Sequence, residues 1–117
     1  VGMFVNDAIR YSMTPEQVLY YSDYAFGTAD AISFDEDTEL LRIHDLKTGR
    51  GATKFEQLEV YAALFCLEYN FRPTINMQLR IYQNEEIRSH IPDPDDILDI
   101  MTRIARFTDI LNMEDHC

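Results

Sequence analysis

"ADAISFDEDTELLRIHDLKTG", residues 29–49, decides how the chain folds. Ala29 to Phe34 reads as a strand. "DEDTE" (35–39) is acid-rich and free of apolar side chains, as a hairpin turn is. Leu40 to Leu46 reads as the return strand, with Leu41, Ile43 and Asp45 on one face and Leu40, Arg42, His44 and Leu46 on the other. Antiparallel neighbours stand about 5 Å apart, so the hairpin can bring Asp30 to Asp45. Lys47, two residues on, shares the face of Asp45. Two close carboxylates repel unless a cation relieves them.

Outward from this hairpin, Phe4, Val5, Ala8 and Ile9 recur at helical spacing and predict a short helix ending before Thr14-Pro15. Val18, Tyr20, Ser22 and Tyr24 alternate with Leu19, Tyr21 and Asp23, which predicts a first strand; Gly27 loosens the backbone before the second. "KTGRGAT" (47–53) is a glycine-containing loop. Residues 54–69 predict a strong helix with Leu58, Ala62, Phe65, Cys66 and Tyr69 as its buried stripe. Ile75, Met77, Leu79 and Ile81 alternate with polar residues in a further strand; "QNEE" turns the chain into a short strand, Ile87 to Ile91. Asp93 as N-cap, Pro94 at the first position and Asp95-Asp96 in the first turn open a last helix. Its stripe is Ile97, Ile100, Met101, Ile104, Phe107 and Leu111. The order α-βββ-α-ββ-α over residues 1–117 predicts one α/β (α+β) domain.

The 117 residues suffice for one core, and 46% apolar content belongs to a folded protein. No apolar run approaches the roughly 20 residues a membrane span needs, and no leader pattern is visible. Cys66, in an apolar stripe, and Cys117, at the end, predict a buried thiol and a loose one rather than a disulfide, hence a reducing cytoplasm. The net charge of −11 counts against a nucleic-acid partner. Seven of the acids fall after residue 92, however, whereas Arg42, Lys47, Arg50 and Lys54 cluster around the opening stretch.

Oxygen ligands and water suit Mg²⁺ or Mn²⁺. A divalent ion beside an ammonium is an environment for phosphodiester hydrolysis. An isolated Asp-x-Lys is ordinarily a solvated strand end; its context here adds weight. "GTAD" (27–30), "HDLKTG" (44–49) and "QLEVYA" (57–62) together resemble the RecB-type branch of the PD-(D/E)XK nuclease superfamily, in order and in spacing. That branch pairs G-x-x-D, D/E-x-K-T-G and Q-x-x-x-Y motifs. The resemblance implies a restriction-endonuclease-like core, a mixed sheet with flanking helices.

It further implies that Asp30, Asp45 and the backbone carbonyl of Leu46 bind Mg²⁺ or Mn²⁺, that Lys47 is the catalytic lysine, and that Gln57 and Tyr61 line the active site. Packing alone is an equal reading of Tyr61; Gln57 is harder to explain as core. Thr48 and Gly49 would bring backbone amides near the phosphate, with Arg50 and Lys54 as further substrate contacts. The implied activity is a DNA exonuclease of phage or bacterial recombination, replication or repair, acting in the bacterial cytoplasm, with homo-oligomers known among such proteins. The branch usually adds an upstream histidine or glutamate ligand. Here only Asp7 and Glu16 precede the first strand as acids, so either one substitutes or the ligand lies upstream of Val1 in a larger parent protein. His44, His90 and His116 are expected to be structural or solvated. The rival expectation is a binding module that keeps the nuclease fold without turnover.

Overall fold

The DEDTE turn is closed by its first residue. In the computed structural model, which describes residues 2–51 and 54–115, Asp35 Oδ1 accepts the amide hydrogens of Asp37 (2.9 Å) and Thr38 (3.3 Å). Such a carboxylate mimics a backbone turn and fixes the reversal. It joins β2 (Ala25–Asp35) to β3 (Leu40–Lys47) in antiparallel register, Asp35 opposite Leu40 and Ala31 opposite His44. The next step of that register sets Asp30 opposite Asp45.

Strand β1 (Thr14–Ser22) pairs with the outer side of β2. The hairpin turn is Asp23-Tyr24, so β2 begins at Ala25, four residues before the expected start. Gly27 lies within the strand rather than interrupting it, and β1 reaches back to Thr14. Pro15 is tolerated there because β1 is an edge strand. Glu16, at φ 50°, stands between the paired residues Pro15 and Gln17.

After β3 the chain crosses through α2 (Glu56–Tyr69) to β4 (Asn76–Gln83), which runs parallel to β3 from Leu40/Asn76 to Lys47/Gln83. A parallel pair needs such a crossover. The helix ends on Asn70 in the left-handed region (φ 63°). Asn84 and Glu85, both at positive φ, make the two-residue turn into β5 (Glu86–His90), as a hairpin matched to strand twist requires. The sheet order is β1-β2-β3-β4-β5, so the fold is α+β with a five-stranded mixed sheet.

Helix α3 (Pro94–Asp115) starts as expected, Asp93 Oδ1 accepting the Asp95 amide at 2.9 Å. It packs on α2, burying Ile97, with Ile100, Met101 and Ile104 partly covered. Phe107 departs from its expected place: it is 57% exposed, and Thr108 is buried instead, its hydroxyl 2.9 Å from that of Ser22. Tyr69, expected in the α2 stripe, is also largely exposed, its hydroxyl accepting from Gln17 Nε2. Leu41, Ile43, Leu79 and Ile81 from the sheet meet Leu58, Ala62 and Cys66 from α2 in the core. Each fully buried aliphatic side chain contributes about 1.5–3 kcal/mol; truncating Leu79 to alanine would cost about 2–5 kcal/mol.

Helix α1 (Gly2–Arg10) lies against the other sheet face, where Phe4 meets the edge of the Tyr82 ring. Among the described residues no helix is long and apolar enough to cross a membrane. His116 and Cys117 lie outside the described residues.

Candidate active site

The candidate site forms where β2 and β3 face α2. Asp30 turns its Oδ2 to the amide of Leu46 (2.9 Å). That bond holds the end of β3 in place and leaves the rest of the Asp30 carboxylate beside Asp45. Asp45 is 6% exposed, and its Oδ2 lies 3.0 Å from Lys47 Nζ. That contact is an ion pair; Oδ2 has no hydrogen-bond partner of standard geometry among the described residues. Lys47 in turn donates to Gln57 Oε1 (3.3 Å), and Gln57 Nε2 donates to Tyr61 Oη (2.7 Å). Asp45, Lys47, Gln57 and Tyr61 thus form one chain of polar contacts, with Asp30 beside its start. Gln57 and Tyr61, one helical turn apart, share a face of α2 as their spacing requires.

The electrostatics of the group are unbalanced. Burial raises the Asp45 carboxyl above its usual range; Lys47 pulls it back, and the neighbouring Asp30 pushes it up again. The Lys47 ammonium is held charged by Asp45, against a smaller opposing effect of burial. Burial, reinforced by the negative charge of Asp45, raises the Tyr61 phenol. Two carboxylates and one ammonium leave a negative charge in a half-dry cleft, a state a bound cation would relieve.

Gly27 supplies what sequence spacing alone did not reveal. A Cβ placed on it would lie 2.6 Å from Tyr61 Cε1 and 3.3 Å from Cδ1. The bare backbone of β2 is therefore the surface on which the Tyr61 ring rests. The glycine three residues before Asp30 and the tyrosine four after Gln57 were both visible; their contact needed the docking of α2.

Other expected residues are not drawn in. Thr48 lines a cavity of about 270 Å³ that Leu46 and Lys47 share with Met3 and Phe4 of α1. The carbonyl of Gly49 accepts from Gln83 Nε2 at 2.7 Å. Arg50 and Lys54 are exposed in the loop, whose Ala52 and Thr53 lie outside the described residues. Asp7 does not stand in for an upstream ligand: its Oδ2 accepts the Tyr82 hydroxyl (2.6 Å) and pairs with Arg80 Nη1 (3.3 Å). Glu16 is exposed on the β1 edge. Among the described residues no three His, Cys, Asp or Glu side chains gather where an ion could be held.

His44 and His90 are engaged elsewhere in the fold. His44 is fully buried on the α1 face, its Nδ1 3.2 Å from Tyr82 Oη. The Tyr82 hydroxyl gives its proton to Asp7, so His44 Nδ1–H is the donor and Nε2 is left bare. Burial, aided by Arg80, lowers the imidazole to about 4. His90 lies 3.7 Å from Glu59 and against the Phe55 ring.

Whether Asp30, Asp45 and the Leu46 carbonyl suit a divalent cation can be tested on the buried Asp45 Oδ2. Its one close charge is the Lys47 ammonium at 3.0 Å, which leaves the two carboxylates under-neutralised, and the donors are hard oxygens. Oxygen donors of this kind are hard ligands, the class that Mg²⁺ and Mn²⁺ take.

No family model matches the chain, and no curated protein matches it. Among solved structures, the crystal structure of SSO0001 superposes with a TM-score of 0.50 at 12% identity, covering 94% of this chain and 56% of that one. The chain thus spans little more than half of that structure's length. A likeness at this identity bears on the fold alone.

Proposed function

We propose that the chain is a Mg²⁺- or Mn²⁺-dependent deoxyribonuclease domain, exonuclease-like, of the RecB-type PD-(D/E)XK kind. The observation that carries the reading is the Asp45–Lys47 ion pair, with Asp30 across the hairpin and Gln57 holding the lysine from α2. An unrelated strand end has no reason to bury an aspartate, appose a second and tether the ammonium from a helix.

When bound, the cation supplies charge neutralisation and a more acidic water. The protein's own groups do the rest. Asp30 and Asp45 provide its oxygens, and the Asp30 bond to the Leu46 amide fixes where those oxygens stand. Lys47, kept protonated by Asp45, places a positive charge where the phosphoryl oxygens gain negative charge in the transition state. Gln57 limits where the ammonium can swing, and Tyr61, resting on Gly27, orients the Gln57 amide. DNA is the proposed substrate, and bacterial or phage DNA processing in the cytoplasm the proposed setting, within a larger protein or a homo-oligomer.

With Mg²⁺ or Mn²⁺ the protein is expected to degrade linear DNA, and Asp45→Ala or Lys47→Ala to abolish this without loss of fold. Full activity in Lys47→Ala would refute the mechanism; cleavage of closed circular DNA would make the enzyme an endonuclease. A second reading, a nuclease fold that binds without turnover, draws on the absence of a third ligating side chain among the described residues. Calorimetry with Mn²⁺ separates the two: binding that ignores Asp30 and Asp45 favours the second.

A further inference from the structure

Three arginines converge on one phenol on the sheet face opposite Asp45. The Cζ atoms of Arg42, Arg10 and Arg80 lie 3.8, 5.3 and 5.5 Å from the centroid of the Tyr11 ring. Guanidinium groups repel one another, and a chain of net charge −11 has acids enough to separate them. Only Arg80 is so met, by Asp7. Arg42 donates to the neutral amide of Gln78 (2.7 Å), and no carboxylate among the described residues ion-pairs Arg42 or Arg10. Arg10 offsets the dipole at the end of α1, but that effect does not explain Arg42, which sits mid-strand opposite Ser33.

The two unmatched cations border a cleft of about 580 Å³, which the hydroxyl-bearing residues Ser12, Thr14 and Ser33 also line. Asp35 is the acid at its rim, with Oδ1 committed to the amides of its own turn. The Tyr11 ring, 3.8 Å from Cζ, and the Gln78 amide together hold the Arg42 guanidinium in place, so little freedom is lost when it binds a planar or tetrahedral oxyanion. The volume exceeds the needs of a bare ion and is in the range of small-molecule sites.

We propose that this cleft binds a phosphate group, carried by a nucleotide or by a nucleic-acid strand, with Arg10 and Arg42 as its charge partners. The site is independent of the Asp30–Asp45–Lys47 chemistry on the other face.

The test uses the whole chain in EDTA and follows the arginine Nε–H resonances by NMR. The probes are inorganic phosphate, a nucleoside monophosphate and a single-stranded oligonucleotide. Saturable shifts at Arg10 and Arg42 are expected, and they should persist in Lys47→Ala. Arg10→Gln and Arg42→Gln should each weaken binding by about tenfold, the effect of losing one charge-assisted contact. Equal affinity for the monophosphate and the oligonucleotide identifies a small ligand; tighter oligonucleotide binding with a steep salt dependence identifies a strand. No shift with any probe overturns the proposal. So does unchanged affinity in Arg10→Gln, an exposed position whose loss cannot unfold the protein.

Discussion

Gly27 and Tyr61 are in contact across the gap between β2 and α2, with no room for even one methyl group between them. Gly27→Ala is therefore expected to push the Tyr61 ring off the strand and to break the Gln57–Tyr61 hydrogen bond. The cost in stability should be about 1–3 kcal/mol, the usual penalty for overpacking. Urea denaturation of Gly27→Ala, Tyr61→Ala and the double variant checks this. The two effects should be clearly less than additive, since removing the ring makes room for the methyl. Strict additivity would mean the contact carries no energy.

Asp45 should destabilise the metal-free protein at neutral pH. Its carboxyl is raised in the folded state, first by burial, so the native protein binds the proton more tightly than the unfolded chain. Its stabilising contribution is present below the unfolded value and is lost as pH rises through the folded one. Asp45→Asn should accordingly raise the melting temperature at pH 7 in EDTA. Added Mn²⁺ should then stabilise the parent protein and leave Asp45→Asn unchanged. A Mn²⁺ shift that survives the substitution would remove Asp45 from the ligand set.

Protonation of His44 should destabilise the fold in acid. Its imidazole is lowered to about 4 by burial, so the stability it confers is complete above the unfolded value of 6.5 and lost as pH falls through the folded one. The full loss is about 3 kcal/mol, at about 1.4 kcal/mol per pKa unit. Denaturation curves at pH 7 and pH 4.5 should diverge accordingly. His44→Gln, which keeps a donor for Tyr82 without titrating, should flatten that difference.

Cys66 is buried, and its thiol is pushed up to about 11. In a Cys117→Ser background, Cys66 should resist a thiol reagent at pH 8 in the native state and react on addition of denaturant. Prompt native labelling would mean that α2 opens locally.

What the sequence made legible and what it concealed divide along a physical line. The helix–strand order, the DEDTE turn and the Asp93 cap all follow from local periodicity and turn chemistry, which neighbours in sequence decide. So does the placement of Asp30, Asp45 and Lys47, because one hairpin register sets it. Gly27 looks like a break in the strand until Tyr61 is laid on it, because its purpose is tertiary. His44 was placed on the correct face, but its burial depends on Tyr82 and Arg80, which reach it through the parallel β3–β4 register. Alternation within one strand cannot supply that register. Phe107 and Thr108 exchanged roles because the underside of α3 meets the end of β1, where Ser22 offers a hydroxyl rather than an apolar surface.

The polar chain from Asp30 to Tyr61 draws every member from one hairpin and the helix that follows it. Mechanically, such a unit is self-contained. The edge strand β5, the far end of α3 and the cleft beneath Tyr11 contribute no hydrogen bond or ion pair among those five side chains, so a change there need not disturb them.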